Sequence, residues 1–504
     1  MTIVVNFRSL TLPLATVAFV LLWWWATQLG PRGSDQFWYS GYVDQFCISG
    51  QPSTNYVTAF AWSAPFPPPP VHHIPALYPA IAFGRLGLTS FDAWTLTNLA
   101  FILTGLAFLY AAVRRVSEMA GLVVSMALFL PITFWITANP LAEASLFCFG
   151  GIVAYGFALR RAGAEQSGTA WVVAGIAMQS LTRPNHTLLL IGMLAYLILF
   201  STKSSYRWKV GLLGALAIGI VALRGTLLPQ YPMGGITSLL MMGAPGVPGI
   251  NMLPFLATHD VSFDLRAFVI KALNSASQIC PTSLYDLLIA APILLMLGAI
   301  VFRLCRTHDS NRRDQIAYLV VSIATLAATA IIYQYQPRYW SAFCLPIVAF
   351  ASEGIPVNRV ASKAIYGALC LSGLLIAVMA DRVRQDGRIA ADQCDSIRHY
   401  VNTHSPDGGA VLILDDINQK WSYALSRSTI LVSSTDLQTP EEILKAMRHF
   451  DVKLVVSPVS AVNAAAIAEQ LEMARLPTLV FGNNSSVDYL VWRPREDIVT
   501  PKPW

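Results

Sequence analysis

SDQFWYSGYVDQFCISG, residues 34–50, follows directly on an apolar run at 10–30 that is long enough to cross a bilayer. It is rich in aromatic rings, carries two carboxylates, and leads through GQPS into the proline run PFPPPP and then HHIPALYP. A polar, acid-bearing segment placed just beyond a membrane span points to chemistry at the membrane face, with Asp35 the candidate general base. Gly33-Ser34-Asp35 is also turn-like, so a helix cap is the structural alternative. Asp44 lies nine residues on, which on a helix of about 100° per residue is the opposite face. The two acids therefore do not form a paired-carboxylate site. One would face a membrane cavity and the other solvent or a structural partner.

Outward from that stretch the chain is a membrane protein. It has 504 residues, is 55% hydrophobic and only 12% charged, with mean hydropathy +0.53. A soluble protein carries about 25% charge. Apolar runs cover roughly 10–30, 93–113, 118–137, 141–160, 169–182, 187–201, 210–223, 284–304, 316–333, 340–355 and 361–380, about eleven helices against the ~20 residues a span needs. The first run is too long for a cleavable leader and reads as a signal anchor. The formal charge of +6 resides largely in short loops, which excludes a nucleic-acid-binding reading.

The loops predict topology. With Arg8 inside, Arg114–Arg115, Arg160–Arg161, Lys203/Arg207/Lys209, Arg303/Arg306/Arg312/Arg313 and Arg359/Lys363 fall on alternate loops, as the positive-inside rule requires. An odd number of spans then places the C-terminal region outside the cytoplasm, in a multi-pass protein of the plasma (inner) membrane. Two arginines fall on the outer face instead: Arg183 in LTRPNH and Arg338 in YQYQPRYW. Arg183 reads equally well as a snorkelling side chain or as a site residue. Arg338 and Tyr339, among further aromatic residues, suit a lipid phosphate.

Acids are also gathered at the outer ends, as with Glu143 in ANPLAEASL. Ion-coupled carriers need ionisable groups at mid-membrane depth, so the distribution favours surface chemistry over transport. The outer segment 224–283 reads as a Gly/Pro-rich lid followed by an amphipathic helix carrying Lys271, a second candidate for a phosphate. His72 and His73 are candidate substrate or metal contacts, but two imidazoles without a third ligand leave a divalent metal open. The seven cysteines form no CxxC pair; Cys47, Cys280 and Cys394 lie outside in this topology and could furnish one disulfide.

From about residue 381 the composition becomes that of a soluble domain. A helical stretch at 388–404 precedes strands at 409–415 and 429–433, then TPEEILKAMRHF with Thr439, Pro440 and Glu442 as a helix-start signature. Strand VKLVVS, helix VNAAAIAEQLEMA and strands TLVFGN and VDYLVW follow. The alternation predicts a small α/β domain with a largely parallel sheet. The expected organisation is thus a transmembrane domain at 1–380, with a first outer loop at 31–92, and an extracytoplasmic α/β domain at 381–504.

Asp35 with Trp38-Tyr39 and Gly50-x-Pro52, NPLAE in a fourth span, TRPN after a fifth, QPRYW late in the membrane region and a C-terminal outer α/β domain together resemble the GT-C superfamily of membrane glycosyltransferases, which includes the protein mannosyltransferase and aminoarabinose transferase groups. The likeness is one of layout and short patterns over most of the chain. It implies a polyprenyl-phosphate sugar donor, an acceptor hydroxyl on a glycan, lipid-linked saccharide or protein, and Asp35 as base. Many members carry Asp-Glu at this point, whereas this chain has Asp35-Gln36, one carboxylate rather than two. Asp44, Glu143, Arg183, His72 and His73 are then candidate substrate-binding or supporting residues. Two other readings use the same class of lipid: an O-antigen ligase or polymerase, for which a folded outer domain is atypical, and a flippase or carrier with no covalent chemistry.

Overall fold

The computed structural model describes residues 7–32, 34–49, 56–58, 74–139, 141, 143–200, 204–227, 266, 269–270, 284–306, 312–333, 337–353, 359–406, 408–414, 419–425, 430–433, 440–459, 464–481 and 488–495. All eleven apolar stretches are helical. In chain order the helices of this part are α1 (Phe7–Thr27), α2 (Ser34–Ser49), α3 (Ile74–Arg85), α4 (Ser90–Val113), α5 (Ala120–Leu128), α6 (Pro131–Ala138), α7 (Glu143–Arg161), α8 (Glu165–Thr182), α9 (Thr187–Phe200), α10 (Ser204–Leu227), α11 (Leu284–Arg306), α12 (Arg312–Tyr333), α13 (Ser341–Ser352) and α14 (Arg359–His404).

Four of the described helices are long and apolar enough to cross a membrane, or five if α5 and α6, bent by 55°, count as one span. The count of about eleven is not met by that measure. The others fall short for plain reasons: α9 and α13 have 14 and 12 residues, and α7 carries Glu143, Arg160 and Arg161 at its ends. The bend between α5 and α6 sits at Pro131, which has no N–H to continue the hydrogen-bond ladder and so begins a new helix.

Close approach of α4, α7 and α8 builds the centre of the bundle. A Cβ on Gly151 would lie 2.4 Å from the Gly105 carbonyl oxygen, and one on Gly168 would lie 2.5 Å from that of Gly156. Only hydrogen fits there, so the helices meet backbone to backbone, as small-residue interfaces do in lipid. Around this contact a single apolar cluster unites Phe19, Leu109, Phe134, Phe147, Ile176 and Phe343.

The two ends of the bundle differ. At one end the basic loops meet each other: Arg160 Nε lies 2.8 Å from Asp314 Oδ2, while Arg161 Nη1 and Arg303 Nη1 lie 2.7 and 3.0 Å from Glu353 Oε2. Tyr196 adds a hydroxyl donated to Asp314 Oδ1 at 2.8 Å. Glu143 begins the same helix, α7, that Arg160 and Arg161 end. The first and last of its 19 residues are separated by rises of 1.5 Å each, which place these clusters about 27 Å apart, close to the ~30 Å of a hydrocarbon core.

The C-terminal part holds α15 (Gln419–Ala424), α16 (Pro440–His449) and α17 (Ala464–Gln470) around a six-stranded sheet. Its strands are β1 (Tyr56–Thr58), β2 (Ala410–Ile413), β3 (Ile430–Ser433), β4 (Val452–Pro458), β5 (Ala474–Arg475) and β6 (Tyr489–Arg493), in the order β1-β3-β2-β4-β6-β5. The pairs β1–β3, β3–β2 and β2–β4 are parallel, and β6 runs antiparallel to both of its neighbours, β4 and β5. The largely parallel sheet is as expected, with three differences. β1 comes from the segment after α2, not from the C-terminal region. TLVFGN contributes a single bridge, Leu479 to Tyr489, rather than a strand. Finally, α14 is one helix of 46 residues that runs through position 381, where a separate stretch had been expected; its polar half faces the sheet, with Cys394, Ile397 and Val401 in the same apolar cluster as Val411 and Ile413. Thr439 lies outside the described residues, and α16 starts at Pro440.

Candidate active site

At the end of the bundle opposite the basic loops, α6 stops at Ala138 and Asn139 adopts extended backbone. Asn139 is held on every side. Its backbone oxygen accepts from Asn98 Nδ2 at 2.5 Å, and its Nδ2 donates to the Trp135 carbonyl. Its Oδ1 accepts from Arg32 Nη2 at 2.6 Å and from Gln36 Nε2.

Four residues later Glu143 opens α7, fully buried. Its Oε1 accepts from Arg183 Nη2 and lies 3.5 Å from Arg338 Nε. Arg183 follows α8 with φ −134° and ψ 121°, because the residue before a proline (here Pro184) is driven out of the helical region. Arg338 sits in a 3₁₀ turn, Pro337–Trp340, at the entry to α13. The Tyr339 ring serves both cations, 5.2 Å from Arg183 Cζ and 5.9 Å from Arg338 Cζ, within cation–π range. His186, 4% exposed, packs its ring 5.6 Å from Phe343 beside this group.

Two guanidiniums around one carboxylate, all three largely out of water, form a site whose cationic character suits an anionic group with several acceptor oxygens. The buried atoms Glu143 Oε2, Arg183 Nε, His186 Nδ1 and Ser341 Oγ find no hydrogen-bond partner among the described residues. Buried polar atoms in a native protein ordinarily have one, so this patch is equipped to receive a polar ligand.

The helix α2 is docked onto the same loop. Gln36 bridges, its Oε1 accepting from the Arg32 backbone N–H at 3.1 Å while its amide donates to Asn139. A glutamate at position 36 could not make that second bond, because a carboxylate has no N–H. One turn on, the Tyr39 ring stacks on Trp94 at 5.3 Å and 20°, and its hydroxyl is within electrostatic reach of Arg183. Position 35 is one helical turn before Tyr39, on the same face of α2.

The other sequence candidates divide. Arg183 does not snorkel to the membrane surface; it is buried in an ion pair with Glu143. Glu143 is engaged by both arginines. Asp44 is on the other face of α2, 6% exposed, and accepts from Ser90 Oγ at 3.1 Å; it holds helices together and is not part of this site. Lys271, His72 and His73, and with them nearly all of the expected lid at 224–283, lie outside the described residues, as do the side chain of Asp35 and the residue Cys280. Cys394 is a buried free thiol, so the Cys47–Cys394 pairing is absent. For a divalent metal, no group of three or more His, Cys, Asp or Glu side chains is assembled among the described residues. Glu143, flanked by two guanidiniums, is a poor ligand for a further cation, so the described residues do not fit one. Arg32 and Asn139 escaped the sequence reading, the only signal being the Asn-Pro of the NPLAE pattern; Gln36 and Tyr39 entered it only as neighbours of Asp35.

No protein-family model matches this chain, and no curated protein matches its sequence. Its fold is nevertheless shared with solved structures of ArnT from Cupriavidus metallidurans. The structure of ArnT bound to undecaprenyl phosphate superposes with a TM-score of 0.60 at 11% identity, covering 97% of this chain and 99% of that one. The apo structure gives 0.59 at 12% identity, with the same coverage.

Proposed function

We propose that this chain is a membrane glycosyltransferase of the GT-C type, which moves a sugar from a polyprenyl-phosphate donor to an acceptor hydroxyl at the extracytoplasmic face. The observation that carries this reading is the buried Arg183–Glu143–Arg338 cluster over Tyr339, with Tyr39, one helical turn after position 35 on α2, in electrostatic reach of Arg183. A shared fold with a protein crystallised with undecaprenyl phosphate supports the choice of donor.

In this reading Asp35 takes the proton of the acceptor hydroxyl as its oxygen attacks the anomeric carbon. The bond from that carbon to the donor phosphate breaks, and the phosphate leaves with the bonding pair. Its developing charge is met by Arg338 and Arg183, held in place beforehand by Glu143 and Tyr339. Attack opposite the leaving phosphate inverts the anomeric centre. The folded outer sheet, continuous with the segment after α2, speaks against the ligase or polymerase alternative. A carrier would release no lipid phosphate.

The test is Asp35→Asn. Incubated with undecaprenyl-phosphate-linked sugars, the purified wild-type chain should release undecaprenyl phosphate in an acceptor-dependent reaction. The variant should lose about 10²- to 10⁴-fold of that rate, the range a positioned base contributes, while retaining its elution profile and thermal transition. Undiminished turnover in the variant would overturn the assignment.

A further inference from the structure

The helix α2 shows two faces to two bodies. The Tyr39 face meets the bundle at Trp94, with Arg183 in electrostatic reach of the Tyr39 hydroxyl. The opposite face also carries Asp44 and meets the C-terminal domain at Phe37. Phe37 is 3% exposed and belongs to the apolar cluster of Ile397, Trp421, Leu425, Val411 and Ile413, so the core of the sheet domain is completed by a residue two places after Asp35. Its ring lies 5.6 Å from that of Tyr423 on α15.

A second contact lies two turns on, where Ser90 Oγ of α4 donates to Asp44 Oδ2 at 3.1 Å. Burial, and after it the Asp44 charge, raise the Tyr423 phenol above its usual range, so it stays a neutral hydroxyl. The base of α15 is fixed in turn by Arg398, whose Nε donates to the Ala424 carbonyl at 2.9 Å. The C-terminal domain thus holds α2 near its start, where Tyr423 packs on Phe37, and α4 holds it near its end, through Ser90 and Asp44. Two contacts about two turns apart on one face fix the rotation of a helix about its axis; a single contact would leave it free to roll.

We propose that Tyr423 is a positioning residue for the transfer reaction: it sets the roll of α2 and thereby the placement of position 35 against the Arg183–Glu143–Arg338 cluster. The C-terminal domain is then a working part of the active site, although none of its side chains contacts the reacting atoms. This rests on the reading of Asp35 as the base.

The test compares Tyr423→Ala with Tyr423→Phe in the full-length chain, using an undecaprenyl-phosphate-linked sugar that the wild type turns over. Misplacing a catalytic group by about 1 Å costs on the order of 100-fold, so Tyr423→Ala should lower kcat by about that factor with KM for the donor little changed. Such a split marks an interaction felt in the transition state rather than in binding. Tyr423→Phe, which keeps the ring against Phe37, should recover most of the loss. Amide exchange in the peptide spanning 34–49 should quicken in Tyr423→Ala while undecaprenyl phosphate binding persists. In an Asp35→Asn background Tyr423→Ala should cost nothing further. An unchanged kcat, unchanged exchange in α2, losses that add to those of Asp35→Asn, or a fall in kcat that only mirrors lost lipid binding would each overturn the proposal. If Asp35→Asn alone proves fully active, it is the base assignment that has failed, and the exchange measurement still tests the α2 tether by itself.

Discussion

Replacing Glu143 by Gln tests the charge balance of the site directly. The change keeps volume and one acceptor but removes the anion that two buried guanidiniums share. Removing one partner of a buried ion pair costs about 3–5 kcal/mol, because the remaining charge is stranded. The Arg183 and Arg338 side chains are only 15% and 11% exposed, so water recovers little of that, and retention of an acceptor argues for the lower figure of about 3 kcal/mol. At ~2–4 °C per kcal/mol for a domain of 150–250 residues, and less for a larger cooperative unit, the transition of the unliganded protein should fall by about 5 °C. The same variant no longer makes a lipid phosphate compete with Glu143. A hydrogen bond to a charged group is worth about 1.5–3 kcal/mol, so undecaprenyl phosphate should bind roughly 10- to 100-fold tighter. Thermal scans in detergent with and without undecaprenyl phosphate read both effects: a lower starting Tm and a larger upward shift on adding lipid. An unchanged Tm together with weakened binding would refute the reasoning, since it would mean that Glu143 neither balances the arginines nor competes with the phosphate.

Two further outcomes are expected. Gly151→Ala places a methyl 2.4 Å from a backbone oxygen and 2.9 Å from the Cα of Gly105, neither of which can rotate away; overpacking of this kind costs about 1–3 kcal/mol or more, and its Tm should fall well below that of Gly298→Ala, where a Cβ meets nothing within 4 Å. Burial of the ammonium depresses Lys420, whose Nζ donates to Gln393 Oε1. The folded state then binds fewer protons than the unfolded one between the lowered value and the ordinary lysine range near 10.4, so stability should rise with pH across that window. Lys420→Met should flatten that rise, and denaturant titrations at several alkaline pH values will show whether it does.

Much of the architecture could be read from residue order alone, because long apolar runs have few other structures open to them in lipid. The cation cluster was half visible. Arg183 and Arg338 stood out by lying where topology disfavours basic residues, yet nothing local said that Glu143, 40 positions before Arg183, would lie between them. That meeting depends on glycine contacts bringing α7 against α8. The strand β1 was invisible for a related reason: three residues carry too little alternation to read as a strand, and what makes them one is the open edge of β3. The error at position 381 has a local cause. Hydropathy drops there, but no proline interrupts 359–404, and a change of environment alone does not end a helix. Asp44 was the reverse case, since its nine-residue offset from Asp35 foretold the opposite faces that the helix shows.

The pairing of Tyr56 with Leu431 has a consequence for how the polypeptide is made. At 5–20 residues per second the ribosome needs roughly 20–75 s to travel from one partner to the other. Throughout that interval the early strand has no neighbour to hydrogen-bond with, and a prematurely terminated chain never supplies one. Completion of the sheet therefore waits on translation of the late strands, and fragments that lack them would leave the early strand without a partner.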